Sequence, residues 1–354
     1  MRAAGGAGAP VAFGRTALIP HDSLVWKTVA DGLLNANGVQ VLYHAALADV
    51  IPSVPGIVKT LILHCKEGFV AVEPRSVVDA SGDAEVVHRS GAATSYGRGG
   101  VVQTPTMIFR MGGVEMKRFL QVDSREIDRR VAEGHRSGAY RLPRHHVYLF
   151  PLPQGNDVLC NMTRITFPDG SVPSGMRSAD LTFAEIEGRI QAREYARFLR
   201  ENIPGFASAH LIDTGTQVGI RQSRSIVGQV CLSNEQVRKA VKVPGPATFS
   251  AWPIEDHQAG AVSIVYLDEQ TYDIPFECLI PHEGGNVLAA GRCLCAEHEA
   301  LASARVTAQC FGMGYAAGAA CGLIVREGQT AQSLTGRSVA DWMRQHGLNR
   351  ADQR

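Results

Sequence analysis

Charge of one sign is missing from this sequence. Its 35 Lys and Arg against 34 Asp and Glu leave a formal net charge of +1 over 354 residues, so no electrostatic argument favours nucleic acid or an anionic membrane surface as a partner. Long hydrophobic runs are also missing. No stretch approaches the roughly 20 apolar residues that cross a bilayer, and the N-terminus has no apolar signal core, so a cytoplasmic protein without a membrane partner is expected. The eight cysteines are irregularly spaced, which fits reduced, mostly buried thiols rather than a disulfide framework. Cys293 and Cys295 have one residue between them, whereas zinc knuckles and ferredoxin-type clusters use Cys-x-x-Cys repeats. Glu255-Asp-His257, His145-His146 and Glu297-His-Glu299 hold ligand-type side chains but lack the i, i+4 histidine pair of a helical zinc site; they read as hydrogen-bonded loop residues, and no metal is expected. Serine-nucleophile and P-loop signatures are missing too. The glycine-rich start, Gly5-Gly-Ala-Gly8 with Gly14, has no strand before it, so it is not the strand, Gly-x-Gly-x-x-Gly turn and helix that hold a pyrophosphate.

What is present points to an α/β protein. Hydrophobic content of 45% with 37 glycines suits packed elements joined by many turns, and the length allows one large or two ordinary domains. The most informative stretch runs from Tyr272 to Gly322. Asn286-Val-Leu-Ala-Ala-Gly291 is a short apolar run ending in glycine, and Arg292 to Ala300 follows as a polar-punctuated loop or helix start. Beyond it, Ala304, Ala308, Gly312, Ala316 and Ala320 recur at four-residue intervals, as do Cys310, Gly314, Gly318 and Gly322. Each interior glycine costs a helix about 1 kcal/mol relative to alanine. Two nearly bare stripes therefore imply close approach of a neighbouring sheet or of a bound cofactor.

Elsewhere the pattern alternates. Asp22 is read as the N-cap of a helix with Val25, Val29 and Leu33 on one face and Gly38 as its stop. Val39 to Tyr43 reads as a strand, Val58–Leu63 and Phe69–Val72 as a hairpin, and Ser76 to Ala80 as a strand running into Ser81-Gly82-Asp83. Between about Gly99 and Asp273 the character changes. Thr104–Arg110 and Val147–Phe150 read as strands, Asn156 to Ile165 as a hairpin arm, and Thr182-Phe-Ala-Glu185 as a capping box. That box would open a helix with Phe183, Ile186, Ile190 and Phe198 inward, closed by Pro204-Gly205.

As a set, several segments resemble the signature of a family of FAD-dependent oxidoreductases similar to the flavoprotein subunit of heterodisulfide reductase and, more distantly, to the fumarate reductase flavoproteins. They are Ile274-Pro-Phe-Glu-Cys-Leu-Ile-Pro281, Asn286 to Arg292, His298-Glu-Ala300 with Arg305, Gly314-Tyr-Ala-Ala-Gly318, Val77 to Asp83 and Gly219 to Gly228. The resemblance implies a glutathione-reductase-like FAD-binding fold of the α/β class, incomplete at the N-terminus because the first nucleotide unit is not seen, with an inserted α+β substrate domain. Its boundaries would be 1–97 for the partial FAD domain, 98–273 for the substrate or cap domain, 274–328 for the rest of the FAD domain and 329–354 for a C-terminal helix or tail. FAD would be the cofactor, held by Ala80, Ser81, Gly82, Asp83, Ala290, Gly291, Arg292, Gly314 and Gly318. Arg221 and Arg224, three apart, would hold substrate charge if they shared a face, unless they are solvated surface residues. His298 would move a proton and Arg305 would assist, although a histidine between two glutamates also suits a solvated helix start. The expected activity is hydride transfer between a small anionic or carbonyl-bearing substrate and flavin N5, with an unknown electron acceptor and a homo-oligomer as an open option. The alternative is a non-catalytic or truncated remnant that does not bind FAD by itself.

Overall fold

The computed structural model describes residues 1–257, 262–267 and 270–347. The chain has a mixed α/β architecture with several small sheets and divides into two compact units. One comprises 1–41, 103–220 and 257–263; the other comprises 42–102, 221–256 and 264–354. These limits depart from the sequence boundaries at both ends of the inserted region. Residues 1–41 join the first unit because Phe13 packs its ring on Tyr148 at 5.3 Å and Gln154 donates to the Gly5 carbonyl at 2.8 Å. Residues 221–256 join the second because Arg224–Ile226 pairs with Thr94–Tyr96 and Pro246–Ser250 with Tyr272–Pro275.

The first unit is built on a four-stranded antiparallel sheet in the order His210–Thr214, Phe109–Gly112, Val158–Asn161, Tyr148–Pro151. Alternate residues of these strands, Phe109, Met111, Val158 and Cys160, meet Tyr195, Phe198 and Leu199 of the long helix Ser178–Asn202 in one apolar core. That helix starts four residues before the expected capping box. Thr182 is interior and its hydroxyl turns back to the Ser178 carbonyl, and the inward face is set by Ala184, Ala192 and Tyr195, which leaves Ile186 and Ile190 half exposed. The Ser23–Ala36 helix forms with Asp22 capping the Val25 amide at 2.8 Å, but none of its residues is buried. Of Thr104–Arg110, only the end pairs as a strand.

In the second unit, a meander of Ala46–Val54, Ile57–Cys65 and Gly68–Val72 leads to the strand Val77–Asp79, which pairs in parallel with Val287–Ala289. Val39 to Tyr43 is not a strand: among the described residues no segment pairs with it in a ladder, and Val39, Val41, Leu42 and Tyr43 stay exposed. Asn286 pins the two sheets together. Its side chain accepts from the Val58 amide at 3.0 Å and donates to the Val58 carbonyl at 2.8 Å, while its own carbonyl accepts from the Val77 amide at 2.8 Å.

The small-residue stripes belong to two helices, His298–Ala304 and Thr307–Glu327. By length and composition the second is apolar enough to cross a bilayer, a property the sequence pattern hides because glycine and alanine make the run inconspicuous. Its side carrying Met313, Ala316, Ala320 and Leu323 is buried in the core. Two of its glycines are explained by packing. A Cβ at Gly312 would stand 2.2 Å from Thr248 Oγ1, and one at Gly322 would stand 2.7 Å from Trp342 Cη2, whereas Gly314 and Gly318 face open space. Gly312→Ala is therefore expected to lose about 1–3 kcal/mol through overpacking, and Gly314→Ala to gain roughly 0.5–1 kcal/mol of helix propensity. Opposite shifts of the urea midpoint would bear this out, and equal shifts would contradict it.

Candidate functional site

Parallel pairing places the carboxyl ends of Val77–Asp79 and Val287–Ala289 side by side, and the Ala290 amide donates to the Asp79 carbonyl at 3.0 Å. The chain then turns at Gly82 (φ 79°) and at Gly291 (φ 87°), in the left-handed region that glycine enters without strain. The two turns are joined directly. Arg292 Nη2 donates to Asp83 Oδ1 at 2.7 Å, and its guanidinium lies over Gly82, where a Cβ would come within 2.5 Å of Arg292 Cζ. Ala80, Ser81, Gly82, Asp83, Ala290, Gly291 and Arg292 are thus brought to one sheet edge, where open α/β sheets bind ligands.

Asp79 organises the first turn, and sequence reasoning overlooked it. It is 1% exposed, and its Oδ1 accepts from the Ser81 amide and hydroxyl while Oδ2 accepts from the amides of Val86 and Val87 at 2.8 and 3.1 Å. A carboxylate satisfied in this way caps the short helix Glu85–Arg89 and holds Ala84 at φ 51°, a conformation that a residue with a Cβ adopts only when its surroundings require it. The visible signal was an acidic residue closing an apolar strand.

Residues 221–226 cross the same turn. Arg224–Ile226 is a strand and 221–223 are not helical, so the helical spacing of three that would put Arg221 and Arg224 on one face does not apply. Ser223 Oγ donates to the Gly82 carbonyl at 3.2 Å and also meets Asp83. Arg224 Nε donates to the Asp83 carbonyl at 3.0 Å and its guanidinium pairs with Glu85. Neither arginine is a solvated surface residue: Arg221 is 7% exposed, and Arg224 is committed to the turn.

On the other side, Arg292 neighbours Arg305. Desolvation pushes the Arg305 guanidinium down to about 10; Glu255 opposes the shift, Arg292 adds to it, and the Cys310 thiol and Asp256 oppose it. His298 opens the first helix but is not solvated. It is 4% exposed, with Nε2 3.3 Å from Asp256 Oδ1. Arg305 ends that helix, and the Thr307–Glu327 helix starts immediately after it with no side chain capping its N-terminus, so its positive end adds to the two guanidiniums. The second helix runs antiparallel to the strands, with Cys310 beside Gly291 and Cys321 beside Ser76. Gly314 and Gly318 lie on its exposed face with the half-exposed rings of Phe311 and Tyr315, one and two turns beyond Cys310.

These features fit part of a dinucleotide: glycines at two adjoining strand ends, arginine at the turn, and a bare helix face leading away from it. The class they define is a mixed α/β protein with two glycine turns at adjoining strand ends. The model for FAD-dependent oxidoreductases matches residues 2–343, and the chain belongs to that family. FAD is its cofactor. Among curated proteins no sequence matches. The solved structure of a geranylgeranyl bacteriochlorophyll reductase-like protein from Thermoplasma acidophilum is similar at 13% identity and a TM-score of 0.41, over 96% of this chain and 66% of that one. The chain therefore spans slightly less than two thirds of that protein's length.

Asp79→Ala would strand the Val86 and Val87 amides and release the Ser81–Ala84 turn. A loss of about 2–4 kcal/mol is expected from the charge-assisted bonds removed, read by urea denaturation of the purified protein. A loss well under 1 kcal/mol would show that the turn holds itself.

Proposed function

We propose that the protein oxidises or reduces a small anionic or carbonyl-bearing substrate at the edge where Arg292, Arg305 and the Asp256–His298 pair gather, within a glutathione-reductase-like FAD-binding fold. FAD, when bound, supplies two-electron chemistry with hydride exchange at N5. Gly291 and the exposed Gly314–Gly318 face admit the nucleotide, because a Cβ at Gly314 or Gly318 would meet nothing within 4 Å, while Gly82 lets the Arg292 guanidinium lie over its turn. Ala80, Ser81, Asp83 and Ala290 shape the turns, and Arg292, fixed by Asp83, presents positive charge to the cofactor. Arg305 and Arg221 hold substrate charge: guanidinium recognises planar carboxylates and stabilises negative charge that builds up during reaction. Arg224, bonded to Asp83 and Glu85, positions the segment that carries Arg221. His298, held by Asp256 in a buried setting, transfers the proton that accompanies carbon–hydrogen bond cleavage.

The carrying observation is the adjoining of the Gly82 and Gly291 turns at two paired strand ends, with Arg292 fixed to Asp83 across them and the buried Asp256–His298 pair in the same unit. The test is anaerobic rapid mixing of oxidised, FAD-loaded protein with small hydroxy and saturated acids, which can give up a hydride, of the dithionite-reduced protein with keto and unsaturated acids, which can accept one, and of each form with the corresponding amides. At least one acid should bleach the oxidised flavin or restore the colour of the reduced one while its amide does not. Arg305→Leu and Arg221→Leu should slow that step with FAD still bound, and His298→Gln should alter its pH profile. Equal rates with acid and amide, or unchanged rates in all three variants, would overturn the assignment.

A further inference from the structure

Two thiols outside the FAD edge lie on neighbouring chain segments. Leu232 pairs in parallel with Ala296: the Leu232 amide donates to the Cys295 carbonyl at 3.0 Å, and the Glu297 amide to the Leu232 carbonyl at 2.9 Å. One residue earlier on each segment stand Cys231 and Cys295. Parallel neighbours are about 4.8 Å apart and direct corresponding side chains to the same side, inside the roughly 4.4–6.8 Å Cα window in which a disulfide closes without backbone movement. The approach is enforced upstream, where a Cβ at Gly228 would come within 2.7 Å of the Cys295 Cβ. Both cysteines are free thiols, Cys231 exposed and Cys295 buried.

We propose that Cys231 and Cys295 form a redox-active pair, whose disulfide ties the arginine-bearing segment 221–232 to the loop that follows Arg292. The exposed sulfur meets an external oxidant and the sheltered one resolves the mixed product. With a low-molecular-weight disulfide as oxidant, the Cys231 sulfur attacks one sulfur of RSSR as its proton passes to the ionised Cys295. This forms the Cys231–SR bond and releases RS⁻. Cys295 then loses its proton to the departing thiolate and attacks the Cys231 sulfur, displacing the second RS⁻, which takes up from solvent the proton that Cys295 gave up on first ionising. The net change is two cysteine thiols plus RSSR to one protein disulfide plus two RSH. Two protein sulfurs are oxidised and two sulfurs of the small disulfide are reduced.

The electrostatics are consistent with this pairing. The hydrogen bond from the Cys231 thiol holds Cys295 down to about 7 against the pull of burial, and the same bond, with burial, pushes Cys231 up, so the pair has one labile proton near neutral pH. The other thiols nearby are poor rivals. Cys293 is fully buried and donates to the carbonyls of Asp79 and Ala290, and Cys278 is fully buried with its thiol pushed up by desolvation. The inference does not depend on the substrate proposed above.

The purified full chain would be equilibrated in mixtures of reduced and oxidised glutathione, quenched with N-ethylmaleimide and digested with trypsin without reduction. Peptides 225–238 and 293–305 should become linked through Cys231 and Cys295, with loss of maleimide from both and full recovery after dithiothreitol. In reduced protein, the iodoacetamide labelling of Cys295 should rise through a pH near 7, and in Cys231→Ala, which has no donor to offer, that midpoint should move upward. A stable mixed disulfide at Cys231 that never resolves, a bridge to Cys293, or a linked peptide that persists in Cys295→Ser would each overturn the proposal.

Discussion

The parallel pairing of Val77–Asp79 with Val287–Ala289 is the constraint on which the site depends. It joins segments that end 209 residues apart, at Asp83 and Arg292, and it is secured at its lower end by Asn286 and at its upper end by the Ala290–Asp79 bond. Everything chemically notable in this unit is hung from those two strand ends. Asp79 shapes one turn, Gly291 opens the other, Ser223 and Arg224 fasten a third segment across the first, and the long glycine-bearing helix starts beside the second. Loss of that register would scatter all of these groups at once, because a parallel pair has no local turn to restore it.

Charge is arranged in two layers around that edge. Nearest the turns, Asp83 and Glu85 engage Arg292 and Arg224, and these pairings fix geometry. Farther along, Arg305 sits among Arg292, Glu255 and Asp256 in a desolvated setting that lowers its own affinity for a proton. Partial exposure of the Asp83–Arg292 pair limits its worth as a stabilising bond; its value is positional. Cys231 and Cys295 stand on the outer edge of the same two segments, so closing a bond between them would alter the freedom of the arginine-bearing strand without touching the turns.

Much of this edge was legible in the sequence because its signals are local. An apolar run ending in glycine marks a strand followed by a left-handed turn, and both Asp79-Ala-Ser-Gly82 and Ala289-Ala-Gly291 carry it. The helix glycines were legible as close approaches, and Gly312 and Gly322 are such approaches. What escaped depends on partners that lie far off in the chain. Val39–Tyr43 alternates like a strand yet finds no ladder among the described residues; Thr182 satisfies a capping pattern in a helix already under way; Ile186 and Ile190 turn outward because the core contacts of Ala184 and Tyr195 set the face. Arg224 reads as a substrate ligand until Glu85 is seen beside it. The role of Asp79 needs the amides of Val86 and Val87 to curl back over it, which no spacing rule encodes.

Hydrogen exchange with and without saturating FAD tests the central claim most directly, since it locates the cofactor without assuming a substrate. The account predicts new protection of the amides at 80–84 and 290–292 and in the first turns of the Thr307–Glu327 helix, with the Tyr148–Pro151 sheet of the other unit unchanged. Protection confined to other segments, or absent from both turns while FAD is demonstrably bound, would contradict it.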